Sequence, residues 1–237
     1  MATILTDAVI LANEYDLSGD SNNAKVEVTV ADLDATTFGN TSVVRQAGLI
    51  DWNLAAEGFY SAASDAALSA DVGANNVIAV APANVDGGQA YVGTSLQTKY
   101  EISGAVGELA KFSLSAAGSV RPQLQRGTIA LPRAVRTASG FGSNVQLGGI
   151  AAGQTLYAFV HVLGLPTGTA PTLNVVIQSS ASAGFSSPTN QVTMNGLTAG
   201  ATIGTKPGAV TDTYWRVSYV IGGTLPSFTT FVTLAIL

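Results

Sequence analysis

Lys25-Val26-Glu27-Val28-Thr29-Val30 alternates without a break and runs on into Leu33-Asp34-Ala35-Thr36-Thr37-Phe38-Gly39-Asn40-Thr41. A period of two puts the valines on one face of a strand and Lys25, Glu27 and Thr29 on the other. Working outward, residues 156–162, 172–178, 213–221 and 228–237 read as further strands, rich in Val, Leu, Phe, Tyr and Thr. Residues 90–102 and 108–115 read as a strand pair joined through residues 103–107. Asp86-Gly87-Gly88, Gly148-Gly149, Gly222-Gly223, Pro166, Pro171 and Pro226 are expected at turns. One helix is expected, over residues 61–70, where alanine is frequent and Ser64-Asp65 stands in the first turn as a cap. The fold class is therefore all-β, with one or two short helices.

Composition narrows the function. Hydrophobic residues make up 47% of the 237, and charged residues only 11%. So oily and charge-poor a chain is expected to bury surface against partners as well as inside itself. Net charge is −5, unevenly spread. Nine of the fifteen acids lie from Asp7 to Glu57, and none lies between Glu108 and Asp212. That acid-free stretch holds Arg121, Arg126, Arg133, Arg136 and Lys206, so two readings stand: solvated loops, or an acidic face meeting a basic face of another copy. A net acidic chain is a poor tight binder of nucleic acid, though it suits a wall past which DNA slides. No run approaches the roughly 18–20 apolar residues of a membrane span. The first residues lack a basic region and a cleavage site, so no signal peptide is expected. With no cysteine, disulfides and thiolate metal sites are excluded.

The candidate chemistry is thin. His161, the one histidine, sits in an apolar strand with no acid for about fifty residues on either side, so it is expected at an interface or sheet surface. Asp32 and Asp34 share a strand face, as paired glycosidase carboxylates would. The plainer reading has Asp34 capping a turn through Thr36 and Thr37. A calcium site on Asp16, Asp20, Asp32 and Asp34 lacks the spacing of a known loop. No phosphate-cradling glycine loop occurs, and no cofactor or metal is expected. Trp52 and Trp215 are expected as core or inter-subunit anchors.

The two halves echo each other. Residues 91–115 give strand, glycine-containing turn and strand, and residues 214–236 repeat that order around Gly222-Gly223. Ala138-Ser139-Gly140-Phe141-Gly142-Ser143 weakly mirrors residues 35–40. The expected division is 1–118 and 119–237, the second a degenerate repeat of the first or a decoration domain.

The LDATTFG stretch of residues 33–39, followed by Arg45-Gln46-Ala47-Gly48-Leu49 and by Gly58-Phe59-Tyr60, resembles the signature of the major tail tube proteins of long-tailed, non-contractile bacteriophages. The resemblance spans about residues 15–70 and is carried by Asp34, Thr36, Thr37, Phe38, Gly39, Arg45 and Gly48. It implies a β-sandwich or partial barrel flanked by a short helix, with no enzymatic role. Arg121, Arg126, Arg133 and Arg136, read from the residues alone, either clamp a neighbour's acids or solvate a loop, whereas by the resemblance residues 31–48 would reach an adjacent subunit. It further implies homo-oligomeric rings, trimeric with pseudo-sixfold symmetry or hexameric, stacked into a tube. The partners would be tape measure, tail tip and terminator proteins, with DNA passing through the lumen unbound. Assembly would occur in the host cytoplasm, and the finished protein would reside in the virion. A carbohydrate-binding or adhesion module of a tail tip or cell surface is the competing reading, and a hydrolase the third.

Overall fold

The computed structural model describes residues 7–119 and 122–237. Along the chain the elements are β1 (Val9–Ala12), β2 (Tyr15–Asp16), β3 (Ser21–Asp34), β4 (Arg45–Phe59), α1 (Ala62–Ala70), β5 (Asn75–Ala81), β6 (Gln89–Ser103) and β7 (Lys111–Gly118). There follow β8 (Gln125–Arg136), β9 (Gly140–Phe141), β10 (Val145–Gln146), β11 (Thr155–Ser180), β12 (Thr189–Met194), β13 (Gly200–Pro207) and β14 (Tyr214–Ile236). Over the described residues the protein is all-β with one short helix, as its alternation and turn residues imply.

Two compact units are interleaved along the chain. One takes the chain up to Gly19, Asn76–Gly93 and Gln125–Leu237; the other takes Asp20–Asn75 and Thr94–Leu124. Neither coincides with residues 1–118 or 119–237.

The larger unit is organised by β11 and β14, which pair antiparallel from Leu156 opposite Ile236 to Ser180 opposite Tyr214. The sequence pattern predicts two strands parted by a turn in each. The turn residues lie instead inside the paired ribbon. Pro166, Gly168 and Pro171 fall where its register slips, between Leu163 and Thr172. A proline cannot donate to a ladder and a left-handed residue breaks its pleat, so the ribbon bends there rather than ending. Gly168 (φ +109°) lies so close to the carbonyl oxygen of Leu225 that a Cβ would stand 2.6 Å from it.

Beyond the bend the two arms share one core. Leu156, Ala158, Val160 and Val162 from one arm of β11 pack in a cluster with Leu173, Val175 and Ile177 from the other, and with Trp215, Val217, Val232 and Leu234 of β14. This is the two-layer packing of a sandwich. The opposite face of the first arm carries Phe159 and Leu163. With Phe231, they join Val9, Leu11, Ala81, Val92 and Ile129 in a second cluster. Strands packed on both faces read as near-continuous apolar runs, which is why residues 156–163 show little alternation.

His161 belongs to that first arm and is fully buried, not at a surface as expected. Its Nδ1 meets the backbone oxygen of Asn13 at 2.8 Å, and its ring lies 6.3 Å from that of Phe231. Burial pushes its pKa down to about 4, and the Asn13 contact only partly offsets this.

The smaller unit is an antiparallel sheet ordered β3, β4, β7, then residues 94–103 of β6. Trp52, Leu54 and Ala56 alternate inward along β4 and are buried, with Phe112, Leu114 and Ala116 of β7 on the same face. Helix α1 is tied to β6 by Gln97 Nε2, which donates to the Leu68 carbonyl, and by the Tyr100 hydroxyl, which donates to Asp65 at 3.0 Å. Trp52 needs Gly118: a Cβ there would stand 2.5 Å from the indole. Both tryptophans are core residues.

Candidate functional site

The outer half of the β3–β4 hairpin leaves the core of the smaller unit. From Glu27 to Asp51 every residue is exposed except Gly48, which is half-buried. Pairing nevertheless continues, with Val28 opposite Trp52, Val30 opposite Ile50, Leu33 opposite Gln46 and Asp34 opposite Arg45. The strand face that buries Trp52 and Leu54 thus continues outward as Val28, Val30 and Ile50, each about half exposed. Leu33, Val43 and Leu49 are also exposed, and Phe38 at the tip is fully so. A long apolar arm of this kind is an aggregation hazard unless something covers it.

The tip is built to hold its shape alone. The Thr36 amide donates to Asp34 Oδ1 at 2.9 Å, and the Val44 amide donates to the Thr36 hydroxyl at 3.0 Å. The Thr37 amide and hydroxyl both donate to Asn40 Oδ1, at 2.8 and 2.6 Å, while the Asn40 amide returns a bond to the Thr37 carbonyl. The turn expected at Asp34 is therefore present. The Thr36 hydroxyl and amide hold the Asp34 carboxyl below its usual range. Arg45 pairs with Asp32 on the same face. Both carboxylates are thus engaged locally and exposed, an arrangement that shapes a loop rather than a cleft.

The two glycines of the motif differ. Gly48 sits at a slip in register, and a Cβ there would lie 2.9 Å from the Ala31 Cβ. Gly39 has open space around it and no left-handed φ, so the fold itself does not demand glycine there.

The arginines divide. Arg133 binds Asp16 through Nη1 at 2.8 and 2.7 Å and lies 3.6 Å from Asp7, within the larger unit. Arg136 donates to the Thr230 and Tyr219 hydroxyls and the Pro132 carbonyl, and its guanidinium covers the Tyr219 ring. Arg126 is exposed. Arg121 lies outside the described residues. Among the described residues no three His, Asp or Glu side chains gather as metal ligands.

A further set of residues was not singled out in the sequence. Lys25 and Glu27 on β3, and Lys99 and Glu101 on β6, form two identical Lys-x-Glu ion pairs on the two outer strands of the smaller unit. The repeated triplet was the available signal. Its meaning depends on which strands are outermost, and that lies in the sheet order.

No protein-family profile matches the chain, and neither does any curated protein. Among solved structures it is similar to a chain in the virion of a native gene transfer agent particle, with 17% identity over 53% of this chain and 98% of that one, at a TM-score of 0.42. It is also similar to the SPP1 Dit protein, described as a paradigm of the hub adsorption apparatus of phages infecting Gram-positive bacteria. There identity is 12% over 97% of this chain and 99% of that one, at a TM-score of 0.35. Neither likeness is close enough to fix a function.

Proposed function

We propose that the protein is a structural virion component that assembles with itself into stacked rings, forming the hollow tail tube through which DNA leaves the particle. The observation that carries this reading is the arm: a hairpin with a self-braced LDATTFG tip that holds apolar side chains in solvent. A soluble monomer gains nothing from such an arm, whereas a neighbouring copy that receives it buries it. The smaller unit supports the same reading, since it ends on strands whose outer edges take part in no described pairing along β3 and along residues 99–103 of β6. Joining these edges around a ring removes both of them. The role needs no catalytic step. The ring holds three copies if the two halves of the sequence are diverged repeats and six if they are not. Other tail proteins cap and terminate the stack.

Electron microscopy of the concentrated, purified protein tests this. Rings or tubes are expected from the intact chain. A chain lacking residues 31–40 is expected to stay folded, by circular dichroism, and to form neither. Normal tubes from that deletion would remove the arm from the assembly, and small monodisperse particles from the intact chain at every concentration and salt would favour the adhesion module.

A further inference from the structure

Resting on that self-assembly reading, we propose that the edge of β3 in one copy pairs with residues 99–103 of β6 in the next in one register, Lys25 opposite Glu101 and Glu27 opposite Lys99. The partner is a second copy of this chain, and charge complementarity selects the register.

β3, β4, β7 and β6 alternate in direction, so β3 and β6 run oppositely. A sheet continued from one copy to the next therefore meets itself antiparallel. Lys25 lies opposite Ala55, Ala55 opposite Ser115, and Ser115 opposite Lys99, a single row across the sheet. Both lysines and their glutamates accordingly project from one face. Ala24, Val26, Tyr100 and Ile102 project from the other, which buries Leu54 and Leu114.

The Tyr60 amide donates to Ala110, and the β4–β7 register is unbroken, so the even residues of β4 bond β7 and its odd residues bond β3. On β3 that engages 23, 25 and 27 and leaves the polar backbone groups of Ala24 and Val26 pointing outward. On β6 it engages 99, 101 and 103 and leaves those of Tyr100 and Ile102 outward. Outward groups must meet outward groups, so only every second register is allowed.

Among the allowed registers, one sets Lys25 against Lys99, and another sets Glu27 against Glu101. Like charges directly opposite each other oppose pairing. The register between these two satisfies both ion pairs at once. It also sets Val26 against Tyr100 and Ala24 against Ile102, apolar on apolar, and covers Ile102, now half exposed. Before assembly each lysine folds onto the glutamate of its own strand; in the ring it faces one directly across the new ladder, at closer Cβ spacing.

Cysteine cross-linking tests the register, because the chain has no cysteine of its own. In the proposed pairing positions 25 and 101, and likewise 27 and 99, are non-hydrogen-bonded neighbours, whose spacing suits a disulfide. Oxidised Lys25→Cys/Glu101→Cys protein is expected to run as a ladder of covalent multimers on a non-reducing gel, and so is Glu27→Cys/Lys99→Cys. Cross-links instead in Lys25→Cys/Lys99→Cys or Glu27→Cys/Glu101→Cys would overturn the register. Rings in the microscope with no cross-link from any pair would overturn the edge pairing. In a second arm, Lys25→Glu/Glu27→Lys loses assembly and the added Lys99→Glu/Glu101→Lys restores it. A wild-type chain that never forms rings would instead sink the assembly reading, and this proposal with it.

Discussion

Acid should destabilise the larger unit through His161. The ring is fully buried, with its Nδ1 at the Asn13 carbonyl and, among the described residues, no hydrogen-bond partner for Nε2. Its proton is held less tightly in the fold than in the open chain, with a pKa of about 4 against 6.5. The unfolded chain takes up the proton first, so stability present above pH 6.5 is lost as pH falls towards 4 and changes no further below it. At roughly 1.4 kcal/mol per pH unit the loss comes to about 3 kcal/mol over that window. Carboxylates also titrate near its lower end, so the informative quantity is the difference from His161→Gln, which retains an amide donor for Asn13 and cannot charge. Trp52→Phe leaves Trp215, in the same unit as His161, as the reporting tryptophan. Urea unfolding followed by its fluorescence at pH 7, 6, 5 and 4.5 gives the two stability curves. They should converge as pH falls, with the wild type losing more. Parallel curves from pH 7 to 4.5 would refute the assignment of a neutral, buried imidazole.

Phe38→Ala should leave the melting temperature within about 1 °C, because a fully exposed ring has no burial to lose, yet it should abolish tube formation in the microscope. Gly39→Ala should likewise leave the monomer unchanged in melting temperature, since its Cβ meets open space. Gly48→Ala should destabilise the smaller unit by about 1 kcal/mol through its clash with Ala31, and Ala31→Gly should recover most of that in a double-mutant cycle of urea midpoints. Arg133→Ala breaks a partly buried double contact with Asp16 and should cost about 1–2 kcal/mol by the same assay. A normal midpoint with lost assembly would instead make Arg133 a contact to the next copy.

Some of this was legible in the residues themselves. The alternation of Lys25–Val30, the Asp34 turn and the helix near residue 61 arise from forces acting within a few residues: side-chain period, a carboxylate within reach of the next amides, and propensity. The arm could be read as a strand, a braced turn and a strand for the same reason. Pro166 and Pro171 were visible as breaks in the pleat. A break in the pleat is compatible with a chain reversal or with a bend in a continuous ribbon, and the pairing with residues 222–229 chose the bend.

Burial and edge status were decided at longer range. The valines of β3 form one face by their period, but whether that face is covered depends on how far β7 extends beside β4. β7 pairs as far as Asn53, so Val28 and Val30 stand in solvent. His161 is buried because the β1–β2 turn, distant in sequence, packs against β11. Lys25 and Lys99 share a row only through Ala55 and Ser115 of the two strands between them. Local sterics set which way a side chain points. What it meets there is fixed by the strands that pairing between distant segments brings alongside, so strands and turns follow from local chemistry, while which of their faces and edges stay uncovered follows from that long-range pairing.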